Sequence, residues 1–327
     1  GKSSLKTNTT GTENTAVGTE ALNGNTTAHE NTAVGYIALT TNTTGAANTA
    51  VGTAALRHST TSADNTAVGR AAMQANTTGA SNTAVGKDAL KANTTGNANV
   101  AIGAISGDAI TTGIDNTAVG TGTLSTATTA NYNVAIGRDA LRLNTSGTRN
   151  TAVGTFAMDS VTTANDNTGL GYVAGASITD GHSNTFVGSE AGDSITTGDE
   201  NTALGHGALD GATTADGNTA VGTDAMGGAL TGGYNTAVGA GVLGANTTGH
   251  TNTGVGQACL DACTTGIRNT ALGKDAATEI TTGEQNVSIG VFANNNTTSG
   301  SSNVAVGYSA GNNVSTGGNN ICIGKEA

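Results

Sequence analysis

Polar and apolar positions recur along this chain with a single period. An Asn opens strings of the form Asn-Thr-Ala-Val-Gly at Asn14, Asn31, Asn48, Asn65 and Asn82, and onward to Asn303 and Asn320, always 17 residues apart. Nineteen copies follow without an insertion or deletion. With that Asn as position one, the repeat reads N-T-A-V-G-x-x-A-L-x-x-N-T-T-G-x-x. An unbroken period means that every copy fills the same physical slot, as in a solenoid whose repeats touch only their neighbours. Seventeen residues are too few for a helical hairpin, and Asn, Gly and Thr are poor helix formers. The predicted fold is all-β: a parallel β-solenoid with 17 residues per coil and about 19 coils, one continuous region over residues 1–327.

Charge placement predicts which positions meet water. Of the 35 Lys, Arg, Asp and Glu residues, 34 fall at positions six, seven, ten, eleven, sixteen and seventeen, and Asp180 is the exception. This pattern describes three exposed corners and three short sides: one to five, eight to nine, and twelve to fifteen. On the first side, alternation places positions two and four on one face. Position four is always Val, Ile or Leu, and position two is Thr, Val or Ile, so both are expected inside. Position three is then expected outside. It is small in nearly every copy (Ala16, Ala33, Ala50, Ala67), with Phe186 its one large occupant, and it is the candidate stripe for close approach of another chain.

Positions nine and twelve compensate each other. Where position nine is Gly or Ala (Gly107, Gly175, Gly192, Ala277, Gly311), position twelve is Ile or Val (Ile110, Ile178, Ile195, Ile280, Val314). The two are expected to share one core volume, since losing a buried Leu costs about 2–5 kcal/mol. Asn14, Asn31, Asn48, Asn65 and Asn82 are expected to form an amide ladder from coil to coil. Gly18, Gly35, Gly52 and Gly69 are expected at positive φ in a corner. Position thirteen is Thr in 17 of 19 slots, and Thr26, Thr43, Thr60 and Thr77 form a candidate outward ladder.

Composition narrows the function. The chain has 51 Gly, no Pro, no Trp and three Phe, with 11% charged residues. That excludes the large-residue core of an ordinary enzyme of this length. The formal charge is −11 with no basic cluster, which argues against nucleic acid. No apolar run is long enough to span a bilayer, so no membrane insertion is expected. Cys259, Cys263 and Cys322 are too few for a disulfide framework, and the first two are expected as buried small residues. No catalytic constellation, cofactor motif or metal cluster stands out, so an enzyme is not expected. The acidic corners lack the dense Asp spacing of calcium β-rolls. Proline is absent because the backbone N–H groups are needed between coils. Nineteen coils at about 4.8 Å make a stack of about 90 Å. Gly1 falls at position five and Ala327 at position eight, and the expectation is a segment of a longer fibrous chain.

The strings Asn99-Val100-Ala101-Ile102-Gly103, Asn133-Val134-Ala135-Ile136-Gly137 and Asn303-Val304-Ala305-Val306-Gly307 resemble the motif of YadA-like heads of trimeric autotransporter adhesins. The longer pattern NTAVGxxAL…NTTG is similar to arrays in phage tail-fibre proteins and related bacterial surface proteins. The resemblance covers essentially the whole chain, although the 17-residue period is longer than that of the usual head repeat. It implies a left-handed β-roll, self-association as a homotrimer or fibre, an extracellular, cell-surface or virion location, and a cell-surface receptor or glycan as ligand. The expected function is a structural and adhesive fibre segment. An ice- or surface-binding solenoid using the Thr ladder is the alternative.

Overall fold

The computed structural model describes all 327 residues and contains no helix. Nineteen three-residue strands run from β1 (Thr15–Val17) to β19 (Ile321–Ile323), one per repeat at positions two to four. Within β1 to β9 and within β10 to β19 each strand pairs in parallel with the next, with the period as register: Thr32 faces Thr49, Ala33 faces Ala50, and Val34 faces Val51. This is the expected β-solenoid of about 17 residues per coil. Coils are numbered 1 to 19 from the Asn that opens each.

Two compact units divide the chain, residues 1–165 and 166–327. The first carries β1 to β9 (Thr151–Val153), and the second carries β10 (Thr168–Leu170) to β19.

Only the first of the three expected sides is a strand; the rest of each coil is a series of turns. The turns are still stitched from coil to coil. The N–H groups of Leu22, Gly24 and Thr26 donate to carbonyls of Ala38, Thr40 and Thr43 in the next coil. Those of Gly35 and Ile37 donate back to Val17 and Thr19. A proline at any of these positions would delete an inter-coil bond.

Gly18 and Gly35 turn the chain after the strand with φ of 133° and 140°. A Cβ on Gly35 would lie 2.5 Å from the Gly52 carbonyl oxygen, so this corner needs glycine for space as well as for φ. Positive φ also occurs where the residue patterns did not announce it: at positions seven, nine and seventeen. Glu20, Leu22 and Glu30 have φ of 58°, 53° and 59°. Such a conformation costs a non-Gly residue about 1–2 kcal/mol. Each of these residues donates its N–H to a neighbouring coil: Glu20 to Lys2, Leu22 to Ala38, and Glu30 to Thr12. The inter-coil bonds hold the conformation, and the stack repeats it.

The interior is a thin column. Positions three, eight, nine, twelve and fifteen fill it, as in coil 2 with Ala33, Ala38, Leu39 and Asn42 all fully buried. This corrects the expected phase of the strand. Position three points in, and positions two and four point out. Ala33, Ala50, Ala67 and Phe186 are 0% exposed. Ala16, in the first strand, is half-buried in the same column. The candidate stripe is therefore core. The cause is Asn at position one, whose amide is needed inside. Alternation from an inward position one puts three inside and two and four outside.

The compensation between nine and twelve has a direct cause. A Cβ on Gly107 would lie 3.1 Å from Ile110 Cδ1 and 3.2 Å from Leu90 Cδ2. The Ile at twelve reaches into the volume that a Leu at nine would take. In coil 11 the trade includes position three. The Phe186 ring fills the column, and a Cβ on Gly175 or Gly192 would come within 2.7 or 2.5 Å of it.

Candidate interaction face

The Asn ladder runs inside the coil. Asn31 donates its backbone N–H to Asn14 Oδ1 at 3.0 Å, and its Nδ2 donates to the same oxygen at 3.3 Å and to the Gly45 carbonyl at 3.0 Å. Asn48, Asn65 and Asn82 repeat the pattern. Each amide thus ties its strand to the preceding coil and to position fifteen of its own coil.

A second amide ladder lies at position twelve, and it is broken. Asn25 Nδ2 donates to Asn8 Oδ1 at 2.8 Å, and Asn42 Nδ2 to Asn25 Oδ1 at 3.2 Å. The run stops where the next coil has no amide to offer: Ser59 after Asn42, Ile110 after Asn93, Cys263 after Asn246. The Oδ1 atoms of Asn42, Asn93 and Asn246 are buried without a partner. The sequon-like Asn25-Thr26-Thr27 string carries one of these ladder amides, and Asn25 is fully buried.

The candidate Thr ladder does not face solvent with free hydroxyls. Thr26, Thr43, Thr60 and Thr77 are half-buried, and each Oγ1 donates to the position-thirteen carbonyl of the next coil at 3.0–3.2 Å. Position fourteen is the exposed Thr of that pair, as at Thr27 and Thr44. The side-chain-to-backbone bond turns position thirteen toward the stack, and this correction removes the outward hydroxyl row on which the ice-binding expectation rested.

The face that is open is the outer face of the strands. It carries a row of Thr or Val/Ile at position two and a row of Val, Ile or Leu at position four. Val17, Ile102, Leu204 and Leu272 are 56%, 41%, 47% and 48% exposed. No charged residue occurs at positions one to five in any coil. In coils 17 to 19 both rows are aliphatic: Val287 with Ile289, Val304 with Val306, and Ile321 with Ile323. The residue patterns missed this face because Thr and Val exchange at position two equally well inside or outside a coil. The size limit at position three was the available signal, because a thin column admits only Ala, Gly, Ser or Cys there unless glycines clear a space.

The Lys, Arg, Asp and Glu side chains, Asp180 excepted, stay on the corners. Burial first, and then neighbouring Asp210 and Glu190, push the Asp193 carboxyl above the usual range. Burial and then Glu190 and Asp224 do the same for Asp210. Four glycines of coils 12 to 14 (Gly207, Gly227, Gly241 and Gly244) leave a cavity of about 570 Å³ beside Asp210, Asp224 and Asp261. No three His, Cys, Asp or Glu side chains are grouped so as to hold a metal ion. A raised folded-state pKa means that ionisation opposes folding: the stability is fully present below the unfolded pKa of about 3.9 and is lost as pH rises through the folded pKa. Asp193→Asn with Asp210→Asn is therefore expected to raise the denaturant midpoint at pH 7, with the gain shrinking toward pH 4. A gain that does not change with pH would refute this account.

Burial pushes the Cys259 and Cys263 thiols up to about 12 and about 11, so both stay protonated and inert. Cys322 occupies the inward column of β19 against Ala293, Ala305 and Ala310, not an outward stripe.

Comparison with protein-family models, with curated proteins and with solved structures gave no match.

Proposed function

We propose that this chain is a structural and adhesive fibre segment of the phage tail-fibre or bacterial surface-adhesin kind. It acts at a cell surface or on a virion and self-associates as a homotrimer or fibre. The observation that carries this reading is the charge-free outer strand face with its exposed aliphatic row. Contiguous exposed apolar surface beyond a few hundred Å² marks an interaction site on a soluble protein. At about 4.8 Å spacing and a face about 10 Å wide, the nine strands of the first unit offer about 430 Å² and the ten of the second about 480 Å². The column inside each coil is thin, and covering this face adds burial that the coil cannot supply alone. The corner residues vary from coil to coil and are free to make repeated weak contacts with a receptor or glycan, whose strength comes from multivalency.

Sedimentation equilibrium of the purified chain is expected to show a multimer at micromolar concentration, and electron micrographs to show elongated particles. Val119→Lys with Leu204→Lys is expected to weaken association at least tenfold while the far-ultraviolet circular dichroism is unchanged. A stable folded monomer would sink the self-association reading.

A second reading concerns the same face. Its Thr and aliphatic rows, uncharged and regularly spaced, are the composition expected of an ice- or surface-binding plane. Thermal hysteresis from a dispersed monomer would favour it over the fibre reading.

A further inference from the structure

Stacking gathers three cations from two successive coils. Arg70 stands at position six of coil 4, and Lys87 and Lys91 stand at positions six and ten of coil 5. All three converge on one carboxylate, Asp88. Arg70 Nη2 lies 3.3 Å from Oδ2, Lys87 Nζ 3.8 Å from the same atom, and Lys91 Nζ 3.5 Å from Oδ1. Elsewhere on these corners the pairing is one to one, as in Arg138 with Asp139, Lys274 with Asp275 and Lys325 with Glu326. The Asp88 side chain is 10% exposed, whereas those of Arg70 and Lys87 are 60% exposed and that of Lys91 is 49%. The carboxylate is buried, and the cations it gathers stay open to solvent.

Donors are left over at this cluster. Arg70 hydrogen-bonds Asp88 through Nη2, which leaves the rest of its guanidinium fork free of that carboxylate. Asp88 Oδ1 accepts no hydrogen bond, although the Lys91 ammonium stands beside it. One carboxylate cannot neutralise three cations, so a positive surplus remains on a chain of formal charge −11. Positions eight and nine between the two corners are Ala89 and Leu90, both fully buried, so no side chain from them covers the cluster.

We infer that Arg70, Lys87 and Lys91 form a binding site for one anionic group, a carboxylate, sulfate or phosphate, carried by a surface glycan. The inference deepens the receptor reading proposed above and rests on it for the glycan. Arg70 offers a planar fork that fits two oxygens of such a group, and the two lysines add mobile point charges. Hydrogen bonds between ionised partners are shorter and stronger than neutral ones. The site is also limited in length. Its cations span two coils, about 5 Å along the stack. Asp108 follows Lys91 at position ten of the next coil, within electrostatic reach of both Lys91 and Asp88. A second anionic group further along the same polymer would meet that carboxylate. The cluster therefore suits an isolated charged sugar and disfavours a continuous polyanion.

The test titrates the full chain at low salt with glucuronic acid, glucose 6-phosphate, glucose and inorganic phosphate, followed by calorimetry. At least one charged sugar is expected to bind at least tenfold more tightly than glucose, and to weaken as salt is added. Arg70→Gln with Lys91→Gln is expected to lower that affinity at least tenfold. Arg138→Gln, which removes a cation paired one to one, is expected to leave it unchanged. Lys87→Gln with Lys91→Gln provides the same readout should the first variant fail to fold. Glucose bound as tightly as both charged sugars, or parent-like affinity in a folded cluster variant, would overturn the site. Inorganic phosphate bound as tightly as glucose 6-phosphate would overturn the glycan as its ligand. A monomeric chain that still binds a charged sugar would instead overturn the self-association reading and leave this site standing.

Discussion

Gly192→Leu restores the residue that most coils carry at position nine, yet it is expected to destabilise this protein. Phe186 occupies the column there at 0% exposure, and even a Cβ on Gly192 would lie 2.5 Å from its ring. Overpacking of this kind costs about 1–3 kcal/mol or more. Backbone strain is not the cause: Gly192 has φ of 62°, and Leu22 and Leu39 hold 53° and 50° at the equivalent position. Phe186→Ala alone leaves a cavity and is expected to cost about 3–5 kcal/mol. The double variant Phe186→Ala with Gly192→Leu is expected to recover most of both losses, because it rebuilds the ordinary coil. Ile195 can remain at position twelve, since Met158 and Val161 are buried together at nine and twelve in coil 9. Thermal and denaturant midpoints of the four species form a double-mutant cycle. Additive losses would refute the shared volume.

Asn201 gives the second large effect. Its Nδ2 donates to Asn184 Oδ1 at 3.1 Å and to the Ala215 carbonyl at 2.7 Å, and its own Oδ1 accepts the Asn218 N–H at 3.0 Å. Asn201→Ala leaves a buried carbonyl and a buried N–H without this partner, at about 1–3 kcal/mol each. Asn201→Asp is expected to be worse at neutral pH. It keeps the shape but places a buried carboxylate against two acceptors, Asn184 Oδ1 and the Ala215 carbonyl. Burial and those acceptors raise its folded pKa. The penalty should therefore fall as the pH drops below that pKa, when a protonated carboxyl can donate in place of Nδ2. Unfolding midpoints of both variants from pH 4 to pH 8 check this. An Asp variant as stable as the parent at pH 7 would show that the ladder contributes little.

Much of the architecture was legible in the residues. The indel-free period predicted stacked coils, the charge positions marked the corners, and the Asn and Gly columns announced the ladder and the positive-φ turn. Left-handed Leu22 was not legible, because Leu seldom adopts that conformation and only a carbonyl in the next coil holds it there. The broken amide run at Asn42, Asn93 and Asn246 could be seen as a pattern, but its unpartnered oxygens could not.

The candidate face shows where local pattern stops. Period two ties positions one, three and five to one side and two and four to the other, so the sequence alone determined the rows and their partners along the stack. It did not determine which side is inside, because Ala and Val both suit a core and Thr suits either environment. The tertiary structure decided that by burying the Asn201-type amides, which need an acceptor in the preceding coil and a donor in the next. That requirement sends Ala33 and Phe186 into the column and leaves the Thr and Val rows facing out.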